Sequence, residues 1–347
     1  MTAYLTKIHH KTLLKVLIYN PTIYAKVTPY DNSLKPFYRF FTQQSTQVNI
    51  FDRRTKYLQK ERAARNPDVA LFDYIKEEIG FRLSDRIFDI KREFRNAADI
   101  GCNRGFISNH VLAETVQHLI LCDTSPTMLA QAQGTPGLKI TKMEMDEENL
   151  EFEDDSLDLV MSSLNLHWVN DLPGCFRKVN KSLKPDGVFI ASMFGGDTLY
   201  ELRSSLQLAE LERKNGISPH ISPFTQIRDI GAILNNTGYT MLTIDTDELV
   251  VGYPTMFELM WDLKGMAENN AAFNRPVHLS RDTMFAASAI YKQLYGKDDS
   301  IPATFQIIYF VAWKPSPDQP KPLPRGSSEV SLKDLGTIIE SGSKTKT

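Results

Sequence analysis

Cysteine is scarce in this chain: there are three in 347 residues, and Cys102, Cys122 and Cys175 stand too far apart for a zinc-finger spacing. An odd number gives no disulfide framework, so a reducing intracellular compartment is expected. Long apolar runs are missing as well. Nothing approaches the roughly 20 residues that span a bilayer, and the run Leu13 to Ile18 is too short and too lysine-flanked for an anchor. Charge excess of either sign is absent, since 40 Lys and Arg stand against 42 Asp and Glu, a formal net charge of -2. That balance argues against a broad basic field for nucleic acid or membrane. Histidine is also sparse. None of the seven lies in His-x-Asp or His-x-Glu spacing, so the two-histidine, one-carboxylate face of a non-haem iron oxygenase is not legible. No metal ligands are expected, and no flavin signature is visible.

The first 47 residues lack acid. Asp31 is their only acidic residue, against Lys7, Lys11, Lys15, Lys26, Lys35 and Arg39. Leu5, Ile8, Leu13, Val16 and Leu17 recur there at near-helical spacing. This is the composition of a mitochondrial transit peptide, the plainer alternative being a basic arm with no address value. At the other end, Pro315, Pro317, Pro320, Pro322 and Pro324 make residues 314–347 an extended, mostly unpacked tail. A short helix around Leu332 to Ile339 is expected to interrupt it.

Between these flanks, short apolar runs alternate with helical periodicity. Strands are expected at Asn96–Gly101, His118–Asp123, Lys139–Met143, Leu157–Ser162 and Val188–Met193, with helices beginning near Phe106, Pro126 and Asp171. Such alternation implies a parallel sheet covered on both faces. Further helices are expected over Asp197–Lys214 and Thr225–Asn236, and further strands over Tyr239–Val251 and Ala303–Trp313. A helical segment over 48–94 precedes the main domain, 95–313. Within it, 195–224 and 254–300 read as lids over the carboxyl edge of the sheet.

The chemistry concentrates at the strand ends, where ligands of such sheets bind. Ala98-Asp99-Ile100-Gly101-Cys102-Asn103-Arg104-Gly105-Phe106 is a strand running into a glycine turn. Gly101 and Gly105 permit a close backbone approach. Asp99 would repel a pyrophosphate but welcome the ammonium of an amino-acid moiety. Asp123 ends the next strand, where a carboxylate can accept both hydroxyls of a ribose; the plainer reading makes it a helix-capping aid beside Thr124 and Ser125. Asp146 follows the third strand and can accept from an adenine amine. Three carboxylates on successive strand ends suit a cationic nucleoside.

These motifs, with Leu157-Asp158-Leu159-Val160 and Leu183-Lys184-Pro185-Asp186-Gly187, resemble the class I methyltransferases. The resemblance implies a Rossmann-like, seven-stranded α/β fold with helical lid insertions. It also implies S-adenosylmethionine as cofactor, held by Asp99, Gly101, Asn103, Gly105, Asp123, Asp146 and Ser163. Asn103 stands where the middle glycine of the family's loop is expected, and asparagine tolerates positive φ better than most residues.

Longer blocks are more specific. Asn49-Ile50-Phe51-Asp52-Arg53, the stretch from Ser163 through Leu166-His167-Trp168-Val169 to Pro173, that from Met193 through Asp197-Thr198-Leu199-Tyr200-Glu201 to Arg203, and Ser218 to Phe224 resemble the mitochondrial complex I assembly factor 5 family. A broader resemblance, through the block from Leu166 to Leu172, is to the carrier-protein methyltransferase of biotin synthesis. The narrower likeness implies an arginine hydroxylase on the matrix side of the inner membrane, peripheral to it. Its implied partner is an iron–sulfur subunit of NADH:ubiquinone oxidoreductase near the quinone site, with other assembly factors beside it and no nucleic acid. Rival readings are an ordinary methyltransferase and a catalytically silent chaperone.

No catalytic residue is equally marked. His167, after the fourth strand, is a candidate general base, although His167 and Trp168 read as well as packing for the turn. An arginine substrate calls for carboxylates and aromatic faces. Asp197 and Glu201, and Glu258 and Asp262 beside Trp261, are expected to share helix faces at i, i+4.

Overall fold

The computed structural model describes residues 49–321 and residue 327. The expected transit peptide and the expected helix around Leu332 to Ile339 lie outside the described residues. Among the described residues, seven strands form one sheet in the order β3-β2-β1-β4-β5-β7-β6. They are β1 (Phe94–Ile100), β2 (Val116–Asp123), β3 (Lys139–Glu144), β4 (Leu157–Ser163), β5 (Leu183–Phe194), β6 (Thr240–Tyr253) and β7 (Ile301–Trp313). The first five run parallel, and β7 lies antiparallel between β5 and β6.

Side-chain alternation explains why these runs pair as they do. Val188, Ile190 and Phe194 of β5 enter one core with Phe305, Ile307 and Tyr309 of β7. Phe189, Ala191 and Met193 enter the opposite core with Ile308, Phe310 and Ala312. A strand buried on both faces reads as a continuous apolar run, which is how β5 and β7 look in sequence. Edge strand β3 is instead exposed along most of its length and carries Lys139, Lys142 and Glu144, charges that discourage further pairing.

Among the described residues, eight α-helices surround the sheet: α1 (Arg53–Ala64), α2 (Tyr74–Phe88), α3 (Pro126–Gln131), α4 (Leu172–Ser182), α5 (Tyr200–Lys214), α6 (Ile227–Asn236), α7 (Met256–Gly265) and α8 (Arg281–Tyr295). Leu202, Leu206 and Ala209 of α5 join Ala287 and Tyr291 of α8 in the first core, so these two helices cover a face of the sheet. The stretch after α7 is what reaches the carboxyl edge, because Glu268 meets His167 and Trp168 just beyond β4.

Two expectations fail. The helix expected from Phe106 is a run of turns over 103–110. Asn109 N–H donates to Gly105 O at 3.0 Å, but His110 turns back to Ile107 O at 2.9 Å. Ser108 Oγ also competes for Gly105 O at 3.1 Å, as short polar side chains do in weak helices. The second concerns α5, which starts at Tyr200 and not at Asp197. Leu199 sits at φ 56° and donates its N–H to Thr304 O at 2.7 Å, so residues before it are pinned to β7. Asp197 and Glu201 therefore do not share a helix face.

Candidate functional site

Helix α1 is built almost without apolar residues, so burial of a greasy stripe does not hold it. Asp52 caps its first turn, accepting from Thr55 N–H at 2.9 Å. Arg53, Lys56 and Lys60 then fall on one face, and that face lies over the carboxyl ends of β1, β2 and β4. Docking is electrostatic, cation by cation.

Lys60 is 3% exposed and donates to Asp123 Oδ2 at 2.7 Å and Asn165 Oδ1 at 3.1 Å. Burial alone would lower its pKa, but Asp123 and Glu147 raise it. Asn165 Nδ2 donates to Glu147 Oε1 at 2.6 Å. Arg53 donates to Asp146 Oδ1 at 2.8 Å and also to Glu147. Burial would raise the Glu147 carboxyl, yet Arg53 and Lys60 bring it down to about 2. A continuous charged network thus runs from Arg53 to the glycine turn.

Asp123, fully buried at the end of β2, accepts from Asn103 N–H at 2.8 Å on one oxygen and from Ser125 N–H at 2.8 Å on the other. Ser125 itself caps α3, accepting from Met128 N–H at 3.1 Å. The capping role thus belongs to Ser125, and Asp123 orders the turn around it.

Gly101 and Gly105 adopt φ 70° and 88°. A Cβ on Gly101 would collide with the Asn165 side chain, and one on Gly105 would meet Gln133 O, so both glycines are required by close approach. Asn103 does take positive φ, 51°, and its Nδ2 donates to Gly101 O at 3.0 Å. Asn103→Gly removes that bond and the left-handed cost together, so stability within ~1 kcal/mol of wild type is expected. Urea denaturation checks this, and a loss beyond ~2 kcal/mol contradicts it.

Asp99 differs from every other carboxylate here. It is 1% exposed, and neither oxygen has a hydrogen-bond partner. Burial, then the neighbouring Asp123, push its pKa well above the usual carboxylate range, against a smaller pull from Lys60. Asp99 therefore has unused bonding capacity and a carboxyl shifted towards its neutral form, a shift that an approaching cation would oppose.

A second hub lies beside the first. Glu268 accepts from Trp168 Nε1 at 2.9 Å and pairs with Lys76 at 2.9 Å and Lys56 at 3.3 Å. Lys56 stands 3.5 Å from the Trp168 ring centroid, a cation–π contact. Burial would raise the Glu268 carboxyl, but the two lysines hold it well below its ordinary value.

His167 Nε2 lies 3.3 Å from the same carboxylate, while its Nδ1 accepts from Phe194 N–H at 3.5 Å. Both ring nitrogens are engaged, the imidazole is stacked among Trp168, Phe194 and Phe224, and burial depresses its pKa to about 4. This is a packing histidine, without the free nitrogen a general base needs.

The remaining candidates scatter. Ser163 Oγ lies 3.3 Å from Ser192 Oγ at the end of β4. Glu201 is buried and accepts from Thr304 N–H at 3.2 Å and Thr304 Oγ1 at 2.5 Å, so it fastens α5 to β7. Asp197 is exposed and accepts from Gln306 Nε2 at 3.2 Å. On α7, Glu258 is engaged by Thr255 and Asp262 by Tyr74. Asp99, Gly101, Asn103, Asp123 and Asp146 are therefore brought together, whereas Asp197 and Glu201 are not part of that cluster. Arg53, Lys56, Lys60, Glu147, Asn165 and Glu268 belong to the site without having been singled out for it. The i, i+3, i+7 spacing of the three cations was the available signal.

A parallel sheet with an antiparallel β7 inserted beside β5, and acids at the ends of β1 and β2, defines an α/β protein of the class I methyltransferase fold. Residues 98–191 match the methyltransferase domain family. Among solved structures, the YcgJ protein of Bacillus subtilis is similar at a TM-score of 0.47 and 16% identity, over 67% of this chain and 98% of that one. The chain is 51% identical over 292 residues to the zebrafish protein named arginine-hydroxylase NDUFAF5, mitochondrial, which covers 84% of this chain and 91% of the relative. The malonyl-[acyl-carrier protein] O-methyltransferase of a Methylovorus strain is 30% identical over 288 residues, 78% of this chain and 94% of that one. The chain belongs to the NDUFAF5 arginine-hydroxylase family.

Proposed function

We propose that this protein is a mitochondrial arginine hydroxylase that binds S-adenosylmethionine at the carboxyl edge of its sheet and acts on an iron–sulfur subunit of complex I during assembly. One observation carries the reading: half of all positions are identical to the zebrafish arginine-hydroxylase over nine-tenths of that relative's length. The matrix side of the inner membrane is the proposed location. Among the described residues no helix is long and apolar enough to cross a membrane.

The residues fit the cofactor. Asp99 has two unpartnered buried oxygens for an ammonium. Asp123 stands at the position of a ribose acceptor, and Gly101 and Gly105 sit in backbone conformations that leave no room for a Cβ. Asp146 and Ser163 are the proposed flanking contacts. When bound, the cofactor would supply a sulfonium centre. Trp168, held by Glu268, provides a buried aromatic wall just beyond β4. Among the described residues no group of three or more His, Cys, Asp or Glu has metal-holding geometry.

Ionising Asp99 on ligand entry gives a measurable signature. The groups facing it are Asp123, Lys60, Cys102 and Cys122, and burial shifts the apo acid towards its neutral form. An ammonium stabilises the carboxylate, so binding releases a proton and affinity rises with pH below the apo pKa of Asp99. Titration calorimetry in buffers of different protonation enthalpy reads this directly; identical heats contradict the ammonium role.

The match of residues 98–191 to a methyltransferase domain favours methyl transfer as a second reading. Mass spectrometry of complex I subunits from cells with and without the protein decides between them. Added oxygen on an arginine, dependent on the protein, supports hydroxylation. A methyl increment makes the second reading correct, and no change in any subunit leaves a non-catalytic assembly role.

A further inference from the structure

We propose that Lys60 is a cofactor-binding residue that pairs with the α-carboxylate at the amino-acid end of S-adenosylmethionine, completing with Asp99 a buried acid–base pair that reads a zwitterion. The inference rests on the cofactor reading above and goes beyond it in assigning the carboxylate.

Asp123 has too few acceptor sites to hold its present donors and a ribose together. A carboxylate offers about four lone-pair positions. Three are taken, by Asn103 N–H, Ser125 N–H and Lys60 Nζ. A ribose presents two hydroxyls to the same group, so one donor has to leave. The two backbone donors are fixed, Asn103 by its left-handed turn and Ser125 by its place as the cap of α3. Lys60 alone approaches on a flexible four-carbon stem.

A displaced ammonium that is 3% exposed cannot be left without an anion. Glu147 already acts on Lys60, but it is shared by Asn165 Nδ2 and Arg53, and a move of Lys60 to it leaves the ligand's carboxylate without a cation. Asp99 is required by the ligand's own ammonium. The remaining anion is the carboxylate that the ligand brings, attached to the same carbon as that ammonium. Lys60 is near enough to Asp99 and Cys102 to shift both, which sets it at the amino-acid end of the site. Charge also balances. Lys60 offsets Asp123 in the apo protein, and the ligand's carboxylate offsets Lys60 once the ribose holds Asp123.

The test is calorimetric binding of S-adenosylhomocysteine and of its decarboxylated analogue, which keeps the amine, to the full chain as wild type, Lys60→Gln and Lys60→Arg. Wild type should prefer the carboxylated ligand by about tenfold or more. Lys60→Gln should abolish the preference, weakening the carboxylated ligand and tightening the decarboxylated one, which no longer strands a buried ammonium, and Lys60→Arg should keep most of it. A preference that persists in Lys60→Gln overturns the proposal. So does a tightening of both ligands, which would make Lys60 a competitor for Asp123 and nothing more. Wild type binding neither ligand overturns the cofactor reading itself. A crystal structure of wild type with S-adenosylhomocysteine needs no variant. Lys60 Nζ within hydrogen-bond distance of the ligand carboxylate supports the assignment, and Lys60 still on Asp123 refutes it.

Discussion

Glu268→Ala should destabilise the protein by about 3–5 kcal/mol, a large part of the 5–15 kcal/mol typical of a folded domain. The carboxylate is shared by Lys56, Lys76, Trp168 Nε1 and His167 Nε2, all within 3.3 Å. Removing it leaves Lys56 and Lys76, each 5% exposed at the side chain, without an anion, and burial already holds the Lys56 pKa well below its ordinary value with Glu268 in place. Glu268→Gln keeps part of the hydrogen bonding and none of the charge, so it should lose less than alanine but still well over 1 kcal/mol. Urea denaturation measures both variants; unchanged midpoints would contradict the description of this hub.

The same hub dictates acid sensitivity. An unfolded histidine titrates near pH ~6.5, whereas burial holds folded His167 down to about 4. As pH falls through that window, the unfolded chain takes up a proton that the folded protein refuses, so stability falls by up to ~3 kcal/mol. Glu268 has the opposite chemistry and the same sign. Its depressed pKa contributes stability above the unfolded value of ~4.3, lost as pH falls further towards the folded value. Wild type should lose stability from pH ~6.5 downward, and His167→Gln should flatten the upper part of that loss.

Asp123→Ala is the second large effect, and here removing one charge should cost more than removing two. The single change strands Lys60 at 3% exposure and frees the N–H groups of Asn103 and Ser125. A cost of about 3–5 kcal/mol is expected, with affinity for S-adenosylmethionine down by about tenfold or more. Asp123→Ala/Lys60→Met removes both charges and should recover a substantial part of the lost stability, although not the binding. Strict additivity of the two single changes in urea denaturation would contradict the buried pair.

Much of this was legible because it is local. Apolar runs buried on both faces announced β1, β2, β4, β5 and β7, and an acid at a strand end needs no tertiary information to be noticed. Asp99 and Asp123 were found in that way. Misreadings arose where distant contacts override local preference. Ser108 and the turn at Gly105 undo the helix expected from Phe106, and β7 holds Gly195 to Leu199 out of α5. Glu201 looked available as an acid until Thr304 came to lie against it, and the two nitrogens of His167 are engaged by residues 101 and 27 positions away. The basic face of α1 was the largest omission. Lysines and arginines on a helix normally mark a solvated surface, and only the carboxylates of Asp123 on β2, of Asp146 and Glu147 after β3, and of Glu268 after α7 turn that face inward.

The central claim is that a cofactor pocket built on Asp99 takes part in modifying an arginine of complex I. Its most direct measurement is the mass of that arginine peptide in cells carrying wild-type protein, no protein, or Asp99→Asn. Asparagine keeps the size of the side chain and removes the charge that would hold the cofactor's ammonium. Added oxygen in the wild type, none without the protein, and a marked reduction in a folded Asp99→Asn variant is the predicted result. Full oxygen addition by an Asp99→Asn protein that is folded and no longer binds S-adenosylmethionine would contradict it.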